Sequence, residues 1–329
     1  MLSTTKIVRT KVFLVTMLLL IVSKSYSQEF VVPVFSQYLA DNPFVISPTY
    51  AGVGDNVRIR VNGLTQWVGI KNAPQNAAVF ADMRIADRSG IGLQLYTDKN
   101  GFTSQAGAKI SFAQHIILDY YSNQFLSFGI SYNFNSFRIN IDEFDKSIFD
   151  PNIVNDRFNA NNNFDLGLLY RNKGFYLNLS GVNILPKNIT KFKGLEPNLL
   201  RNYQVYTGYV FDGENNDKYQ VEPSVLYQYF QSDGRSTTDL NLKFRQFNQD
   251  DDYYWAGITY RFLNDQALKP LNIGPMAGIK KKGFYLGYSY LVTTNELIST
   301  NSGTHVLTLG FDFFQGLSNC PCTKYLSKD

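Results

Sequence analysis

The stretch NVRIRVNGLTQW, residues 56–67, decides the fold class. Its valines and isoleucine alternate with arginines and asparagines, which predicts a β-strand with one apolar and one polar face. The same alternation returns in LSFGISYNF (126–134) and in HVLTLGFDFF (305–314). Because Phe, Tyr and Leu crowd the apolar faces, the question is whether these faces meet a protein core or lipid.

Segments of this kind, each roughly 8–13 residues long, recur along the chain and number about fourteen. They are 56–67, 74–85, 90–98, 102–117, 124–137, 164–171, 175–184, 200–211, 219–231, 236–247, 253–263, 271–279, 284–292 and 304–314. Short connections alternate with a set that includes long ones, at 138–163, 185–199, 264–270 and 293–303. Outer-membrane barrels have short periplasmic turns, longer outer loops and an even number of strands.

The charge of the chain argues against a nucleic-acid partner. Its 329 residues include 31 Lys and Arg and 27 Asp and Glu. Four of the bases and none of the acids lie in the first 27 residues, so the remainder is close to neutral and has no basic block. Aromatic residues make up 15% of the chain, a content that suits β-structure and membrane interfaces.

The first 27 residues have the pattern of a secretory signal peptide. Three basic residues precede the apolar run VFLVTMLLLIV (12–22), and small residues stand before Gln28. The apolar run is too short to span a bilayer, so we expect residues 1–27 to be removed after export. No later segment has 18 consecutive apolar residues, which leaves a soluble exported protein or a β-barrel.

Two all-β architectures compete for this pattern. A soluble β-sandwich would bury the apolar faces against each other. An antiparallel transmembrane barrel of about 14 strands, over residues 53–314, better explains the alternating connection lengths and the tyrosines near strand ends. These tyrosines are Tyr203, Tyr209, Tyr227, Tyr229, Tyr260, Tyr288 and Tyr290. The pattern favours the barrel, with its apolar faces in lipid.

The segment before the first strand has a different composition. FSQYLADNPFVISPTYAG (35–52) contains two prolines and a glycine among its aromatic residues, so it is not a strand. Since a barrel of this width is not filled by its own side chains, we expect residues 28–52 to plug the periplasmic mouth. A disordered leader is the alternative.

Residues 315–329 are expected to form a periplasmic tail, in which Cys320 and Cys322 form a disulfide, bind metal weakly or have no function.

Several motifs, in order along the chain, resemble the PorP/SprF family of outer-membrane proteins. They are FSQYLADNPFVISPTYAG (35–52), QWVGIKNAPQNAAVFADMRI (66–85), GIGLQLYTDKNGFTSQAGAKISFAQHI (90–116), FDLGLLYRNKGFYLNLSGVNIL (164–185), VEPSVLYQY (221–229), YYWAGITYR (253–261) and GYSYLVTTNEL with SGTHVLTLGFDF (287–313). Phe112 replaces a tyrosine of the family pattern, while Leu291 and Val306 replace acids. Within the family, the sequences of the first two motifs resemble the gliding-associated SprF branch more than the PorP branch.

The resemblance implies a role that periodicity alone does not reach. Members are outer-membrane barrels of the type IX secretion system of Bacteroidota. They are needed for export or surface retention of particular cargo, notably large adhesins with a C-terminal sorting domain, and they associate with periplasmic and other outer-membrane components of that system. We therefore expect a non-catalytic, multi-pass outer-membrane protein without a cofactor, and a pore for small solutes is the alternative function.

The residues offer little for catalysis. The two histidines, His115 and His305, lie in no nucleophile motif, and G-x-S-x-G is absent from the sequence. We expect His305 to pair with the N-terminal segment or a strand end and so to hold the seam where the barrel closes.

Two sets of candidate functional residues follow. Alternation predicts that eight charges face the lumen, either as a selective ring or, since unpaired buried charge is costly, as pairs with each other and the plug; they are Arg58, Arg60, Lys109, Glu222, Asp239, Lys243, Arg245 and Arg261. Aromatic residues of the loop 138–163, which either docks cargo or caps the barrel, and of the N-terminal region are predicted partner contacts. They are Phe144, Phe149, Phe158, Phe35, Tyr38, Tyr50 and Trp67.

Overall fold

Long antiparallel strands make up nearly all of the regular structure. The computed structural model describes residues 36–54, 56–139, 157–185, 201–213, 218–231, 234–248, 252–266, 270–294, 299–314 and 320–323. The predicted signal peptide, residues 1–27, and the lead residues 28–35 lie outside these ranges. In the described part of the chain, no helix has the length and apolar character needed to cross a membrane.

The strands follow one another in chain order. They are β1 (Asn56–Thr65), β2 (Gln75–Ala86), β3 (Ser89–Asn100), β4 (Thr103–Asp119), β5 (Gln124–Ile139), β6 (Arg157–Asn172), β7 (Phe175–Val182), β8 (Asn202–Tyr209), β9 (Phe211–Asp212), β10 (Tyr219–Phe230), β11 (Ser236–Phe247), β12 (Tyr253–Leu263), β13 (Pro270–Lys281), β14 (Phe284–Thr293) and β15 (Thr304–Phe314). The two-residue β9 continues β8 beyond Val210, and both pair with β10, so the wall has fourteen strands.

The sheet closes on itself through its first and last long strands. β1 pairs with β15 from Asn56↔Phe314 to Thr65↔His305, and every other neighbouring pair is also antiparallel. Closure removes the free edges that a sandwich would keep. The predicted antiparallel barrel of about 14 strands is therefore confirmed, and the sandwich alternative is excluded.

The two faces of the wall are opposite in polarity. On β1, Arg58 and Arg60 are 7% and 3% exposed inside the barrel, whereas Val61 is 46% exposed outside it. The same holds on β5, where Ser127 and Ser131 are buried and Phe128 is 47% exposed. A continuous apolar outer surface of this kind is stable only in hydrocarbon, so the apolar faces of the strands contact lipid.

Aromatic side chains on the outer surface form a band near the end of the barrel at which β1 begins and β15 ends. Tyr209 packs on Phe211 with ring centroids 4.5 Å apart, and Tyr219 stacks on Phe244 at 5.8 Å. All seven tyrosines of the predicted interfacial set also lie on the outer face of the wall, exposed or half-buried. Amphipathic rings in these positions are typical of the membrane–water interface.

The two ends of the barrel differ in the length of their connections. The end at which β1 begins and β15 ends, here the terminus face, has the connections 87–88, 120–123, 173–174, 213–218, 248–252 and 282–283. The opposite end, here the far face, has 66–74, 101–102, 140–156, 183–201, 231–235, 264–269 and 294–303. Every connection of the terminus face has six residues or fewer, whereas all the longer ones lie at the far face together with the short connections 101–102, 231–235 and 264–269, as the sequence predicts.

Three strands are longer than the sequence pattern indicated. β6 has 16 residues where the pattern indicated only 164–171, and β4 and β5, with 17 and 16 residues, slightly exceed the predicted 102–117 and 124–137. β5 and β6 remain paired up to Ile139↔Arg157. The loop predicted at 138–163 is therefore shortened to 140–156. A polar run such as NANNN is compatible with a strand, because the ladder with β5 supplies its backbone bonds.

Candidate functional site: the occupied lumen

The lumen at the terminus face is occupied by the segment before β1. This lumen segment, residues 36–54, folds into three short 3-10 turns, Ser36–Leu39, Pro43–Val45 and Pro48–Tyr50. Proline fixes φ at the first position of the last two turns, and Ser47 accepts a hydrogen bond from the Thr49 amide. Residues 38–53 are buried without exception, which a disordered leader would not be.

Asp41 is the main electrostatic anchor of the lumen segment. Its carboxylate forms ion pairs with Lys243 and, at 2.9 Å, with Arg245, both on β11. The Tyr253 hydroxyl of β12 donates to Asp41 Oδ2 at 2.5 Å. Burial alone would raise the pKa of Asp41, but the two adjacent cations hold that pKa well below its ordinary value. Asp41 therefore stays ionised and binds two wall strands.

Tyr38 attaches the beginning of the lumen segment to the wall. Its hydroxyl donates to Asp239 Oδ2 at 3.1 Å and accepts from Asn241 Nδ2 at 2.9 Å. Its ring meets the ring of Tyr206 edge-on, with centroids 5.3 Å apart. Burial, followed by the charge of Asp239, raises the pKa of Tyr38 well above its usual value, so the phenol remains a neutral donor.

The other end of the lumen segment contacts the opposite wall. The Gly52 amide donates to Asp82 Oδ2 at 3.0 Å, and the Ala51 carbonyl lies 3.1 Å from His115 Nε2. Asn178 on β7 donates to Ser47 Oγ and Thr49 Oγ1 at 3.0 and 2.8 Å. Contacts thus reach β2, β4, β7, β11 and β12, which are spread around the barrel.

Inward-facing glycines of the wall make room for the lumen segment. A Cβ on Gly129 would lie 2.5 Å from the Thr49 nitrogen, and a Cβ on Gly167 would lie 2.5 Å from Ser47 Oγ. A Cβ on Gly90 would overlap the Ala51 carbonyl, and one on Gly92 would overlap the Phe44 ring. The backbone of the lumen segment therefore lies at van der Waals distance from the wall backbone, an approach that only glycine permits.

A short C-terminal turn, residues 320–323, closes the same end of the barrel. Cys320 and Cys322 are joined in a disulfide, and Cys322 and Thr323 are fully buried. Arg84 donates to Thr323 Oγ1 at 2.7 Å, and the Thr323 carbonyl accepts from the Gly54 amide at 2.5 Å. The cysteines form the disulfide, so the alternative of weak metal binding has no free thiol.

All eight predicted lumen charges point inward, and each has a partner of opposite charge. The pairs are Arg58–Asp82 (2.7 Å), Arg60–Asp312 (2.5 Å), Lys109–Asp165 (2.8 Å), Arg245–Glu222 (2.7 Å), Arg261–Asp239 (2.5 Å) and Lys243–Asp41. Removing one member of a buried pair strands the other, at a cost of about 3–5 kcal/mol. Each of these charges is therefore neutralised by a partner on the wall or on the lumen segment.

A small cavity lies beside the lumen segment. A cavity of about 20 Å³, enough for about one water molecule, lies among Tyr38, Asp41, Tyr176, Glu222 and Arg245. The described residues contain no group of three or more His, Cys, Asp or Glu side chains that could hold a metal ion.

The structure separates the predicted partner contacts into three groups. Phe35, Phe144 and Phe149, like the Phe158 side chain, lie outside the described residues. Tyr38 and Tyr50 are 2% and 5% exposed and contact the wall, so in this conformation they present no surface to another protein. Trp67 is half-buried with φ of +47° at the far face, in the connection that follows β1.

The histidine that contacts the lumen segment is His115 and not His305. His305 lies 2.6 Å from the Tyr288 hydroxyl on the neighbouring strand and does not reach the lumen segment, so that part of the expectation is wrong. His115 is the histidine that contacts it. His115 Nδ1 lies 2.8 Å from Ser127 Oγ, but Nε2 faces a backbone carbonyl and the ring is fully buried, so the pair is structural.

Sequence reasoning missed most of the acidic partners. Asp82, Asp165 and Asp312 could have been found, because each occupies an inward position of an alternating strand. Asp41 and the C-terminal turn carry no periodic signal, since they lie in segments without regular secondary structure.

Comparison with known structures supports the fold. The barrel is similar to the CymD monoaromatic hydrocarbon channel, with a TM-score of 0.52 and 12% identity over 83% of this chain and 92% of that one. It also matches BamA from Haemophilus ducreyi lacking POTRA domains 1–3, with a TM-score of 0.40 and 11% identity over 78% of this chain and 70% of that one. No curated protein matches the sequence.

The family comparison covers almost the whole barrel. Residues 27–311 match the family described as "Type IX secretion system membrane protein PorP/SprF". The match spans all fourteen wall strands, apart from the last residues of β15, together with the lumen segment. This multi-pass outer-membrane barrel therefore belongs to the PorP/SprF family of type IX secretion system membrane proteins.

Proposed function

We propose that this protein is a non-catalytic outer-membrane component of type IX secretion that exports or retains one particular cargo at the cell surface. A large adhesin used in gliding by a member of the Bacteroidota is the cargo we favour. Residues 1–27 act as a signal peptide in this proposal. Family membership supports the secretion role, whereas the identity of the cargo is our inference from the sequence motifs.

The occupied lumen is the observation that carries this proposal. A barrel held closed by Asp41, its two cations and the C-terminal turn is suited to binding a protein at its surface rather than to passing one through its interior. Many wall contacts would have to break together before a path opened. Cargo is therefore expected to bind outside the barrel wall or at one of its ends.

The terminus face is periplasmic in this proposal, because the short turns of outer-membrane barrels face the periplasm. The far face then meets the exported cargo through 140–156, 185–199 and 293–303, with Phe144, Phe149, Phe158 and Trp67 as contacts. The periplasmic components of the system contact 28–35 and 315–329 together with the short turns.

Deletion and complementation test the proposal. Without this protein, the cargo is expected in the culture medium or degraded in the periplasm, while other type IX cargo reaches the surface normally. Restoring the wild-type gene should return the cargo to cells, as measured by surface proteolysis and mass spectrometry of medium and cell fractions. An unchanged surface proteome in the deletion strain would contradict the role.

A pore for small solutes is the second candidate. Uncharged polar side chains line the lumen beyond the lumen segment, and Asn62 and Gln228 have buried polar atoms without a hydrogen-bond partner. Single-channel recording separates the two functions. The secretion role predicts negligible conductance for the wild type and a large conductance after deletion of residues 36–54, and a steady open level in the wild type would favour the pore.

A further inference from the structure

The far-face end of β6 extends beyond β7, its neighbouring strand. β6 pairs with β5 over its whole length, from Gln124↔Asn172 to Ile139↔Arg157. On its other side it pairs with β7 only from Asn172↔Phe175 to Leu166↔Gly181. Two further bonds extend this contact, from the Ile184 amide to the Phe164 carbonyl at 3.0 Å and from the Leu185 amide to Asn163 Oδ1 at 2.9 Å. In the part of the chain that the structure describes, no strand pairs with this side of residues 158–162.

The direction of the backbone groups on this edge follows from the bonds of Phe164. Its carbonyl accepts from Ile184, and its amide donates to the Asn163 side chain at 2.8 Å, so both groups point away from β5. In an antiparallel strand, every second residue directs its amide and carbonyl to the same side. Phe158, Ala160 and Asn162 therefore direct theirs towards the open edge.

The sequence that follows β7 disfavours a continuation of this ladder. Asn183 has φ of +55°, which turns the backbone out of the regular β7 line. Pro186 follows Leu185, and in the shifted register of Ile184 and Leu185 it would face Asn162. A proline has no amide hydrogen to donate to the Asn162 carbonyl, so a ladder in this register would lack that bond.

The edge also lacks the usual protection against strand addition. Natural edge strands carry lysine, proline, bulges or inward-pointing charges that prevent pairing with another chain. The run FNANNNF, residues 158–164, contains no charged residue and no proline. The side chains of Ala160 and Asn162 are exposed on the outer face of the wall.

We infer that residues 158–162 of β6 bind an extended strand of the exported cargo by β-strand addition at the far face. This inference rests on the proposed function and names the mode of contact. The partner is a segment of about five residues that supplies main-chain donors and acceptors to Phe158, Ala160 and Asn162. Recognition through the main chain tolerates varied side chains but excludes proline at the paired positions.

Hydrogen–deuterium exchange tests the inference without any substitution. Two samples are compared: the full-length barrel purified alone, and the barrel isolated from native cells in complex with its cargo. Exchange is followed in peptides that cover 157–163. The amides of Phe158, Ala160 and Asn162 should exchange fast in the barrel alone and at least tenfold more slowly in the complex. Protection already present in the barrel alone would mean that residues 186–200 cover the edge, and would overturn the inference.

A matched pair of variants provides the second test. Ala160→Pro removes an edge amide that bonds to no described residue, whereas Ala160→Ser keeps it at the same exposed site. We expect Ala160→Pro to weaken cargo retention about tenfold, since one main-chain bond and the close approach of the strands are lost, and Ala160→Ser to retain it. Heat-modifiable migration on gels verifies that both barrels are folded.

A photo-crosslinker at Asn162 locates the partner strand. Crosslinks to an extended segment of one exported protein, lost in the Ala160→Pro background, would support the inference. Full cargo retention by a folded Ala160→Pro barrel would overturn it while leaving the secretion role intact. Normal cargo retention in a strain that lacks the protein altogether would instead remove the proposed function.

Discussion

Arg245 of β11 donates a hydrogen bond of 2.9 Å to the carboxylate of Asp41, although 204 residues separate the two in sequence. The same guanidinium also pairs with Glu222 at 2.7 Å. One wall cation thus joins the lumen segment to a second wall strand. Since the lumen segment lies immediately before β1, this contact connects the start of the barrel to strands near its middle.

Replacing Asp41 tests this connection. Asp41→Asn removes the carboxylate with which Lys243 pairs in the described part of the chain, and we expect about 3 kcal/mol of the docking free energy to be lost. Limited proteolysis at the lumen segment should become faster and conductance should rise. Asp87→Asn, in an exposed terminus-face turn, is the matched control. Equal protease resistance of the two variants would show that Asp41 does not anchor the segment.

Docking should be insensitive to mild acid. The pKa of Asp41 is held below its ordinary value, so its stabilising contribution is complete above its unfolded pKa of about 3.9 and is lost only as pH falls through the lower folded pKa. We therefore expect proteolysis rates and conductance to be constant from about pH 7 down to about pH 4. A transition near pH 5 or 6 would assign the control of docking to another group.

The close packing at the inward-facing glycines predicts that a larger side chain there weakens docking of the lumen segment, whereas one on the outer face does not. Gly129→Val places a side chain against the backbone of Thr49, so we expect overpacking to cost about 1–3 kcal/mol of docking free energy. Gly63→Val is the control, because a Cβ there meets no atom within 4 Å. Fluorescence of a dye attached within the lumen segment reports its release, and comparable spectra for the two variants would contradict the close fit.

The disulfide of the C-terminal turn should resist reduction in the folded barrel. Cys322 is fully buried, and its carbonyl accepts a hydrogen bond from Arg171, so a reductant has little access to it. We expect alkylation of the cysteines after dithiothreitol treatment only when the barrel is also denatured, as read by intact mass. Rapid labelling of the native protein would indicate that the turn leaves its site readily.

Substitution at the outer face tests the orientation of the wall. Leu93 is 41% exposed on the outside of β3. Leu93→Arg should destabilise the barrel folded in lipid vesicles by about 2 kcal/mol. Leu93→Phe keeps the face apolar and should have a small effect. Urea titration in vesicles measures both, and equal stability would argue that this face does not contact hydrocarbon.

The sequence alone determined the strands and the direction of their faces. Alternation has a period of two, so a residue such as Arg58 or Phe128 is assigned to one side of the wall before any partner strand is known. The order of the connections followed as well, because neighbouring strands in a barrel are consecutive in sequence. The PorP/SprF motifs carried the resemblance that the family match later confirmed.

Only the tertiary structure decided how the interior is filled. Asp41 meets Lys243 and Arg245, and Thr323 meets Arg84, through contacts between chain segments far apart in sequence. Neither the lumen segment nor the C-terminal turn has a period from which an inward face can be inferred. The long-range ion pairs and the close glycine packing exist only after the wall has closed, because closure brings the contributing strands around one interior.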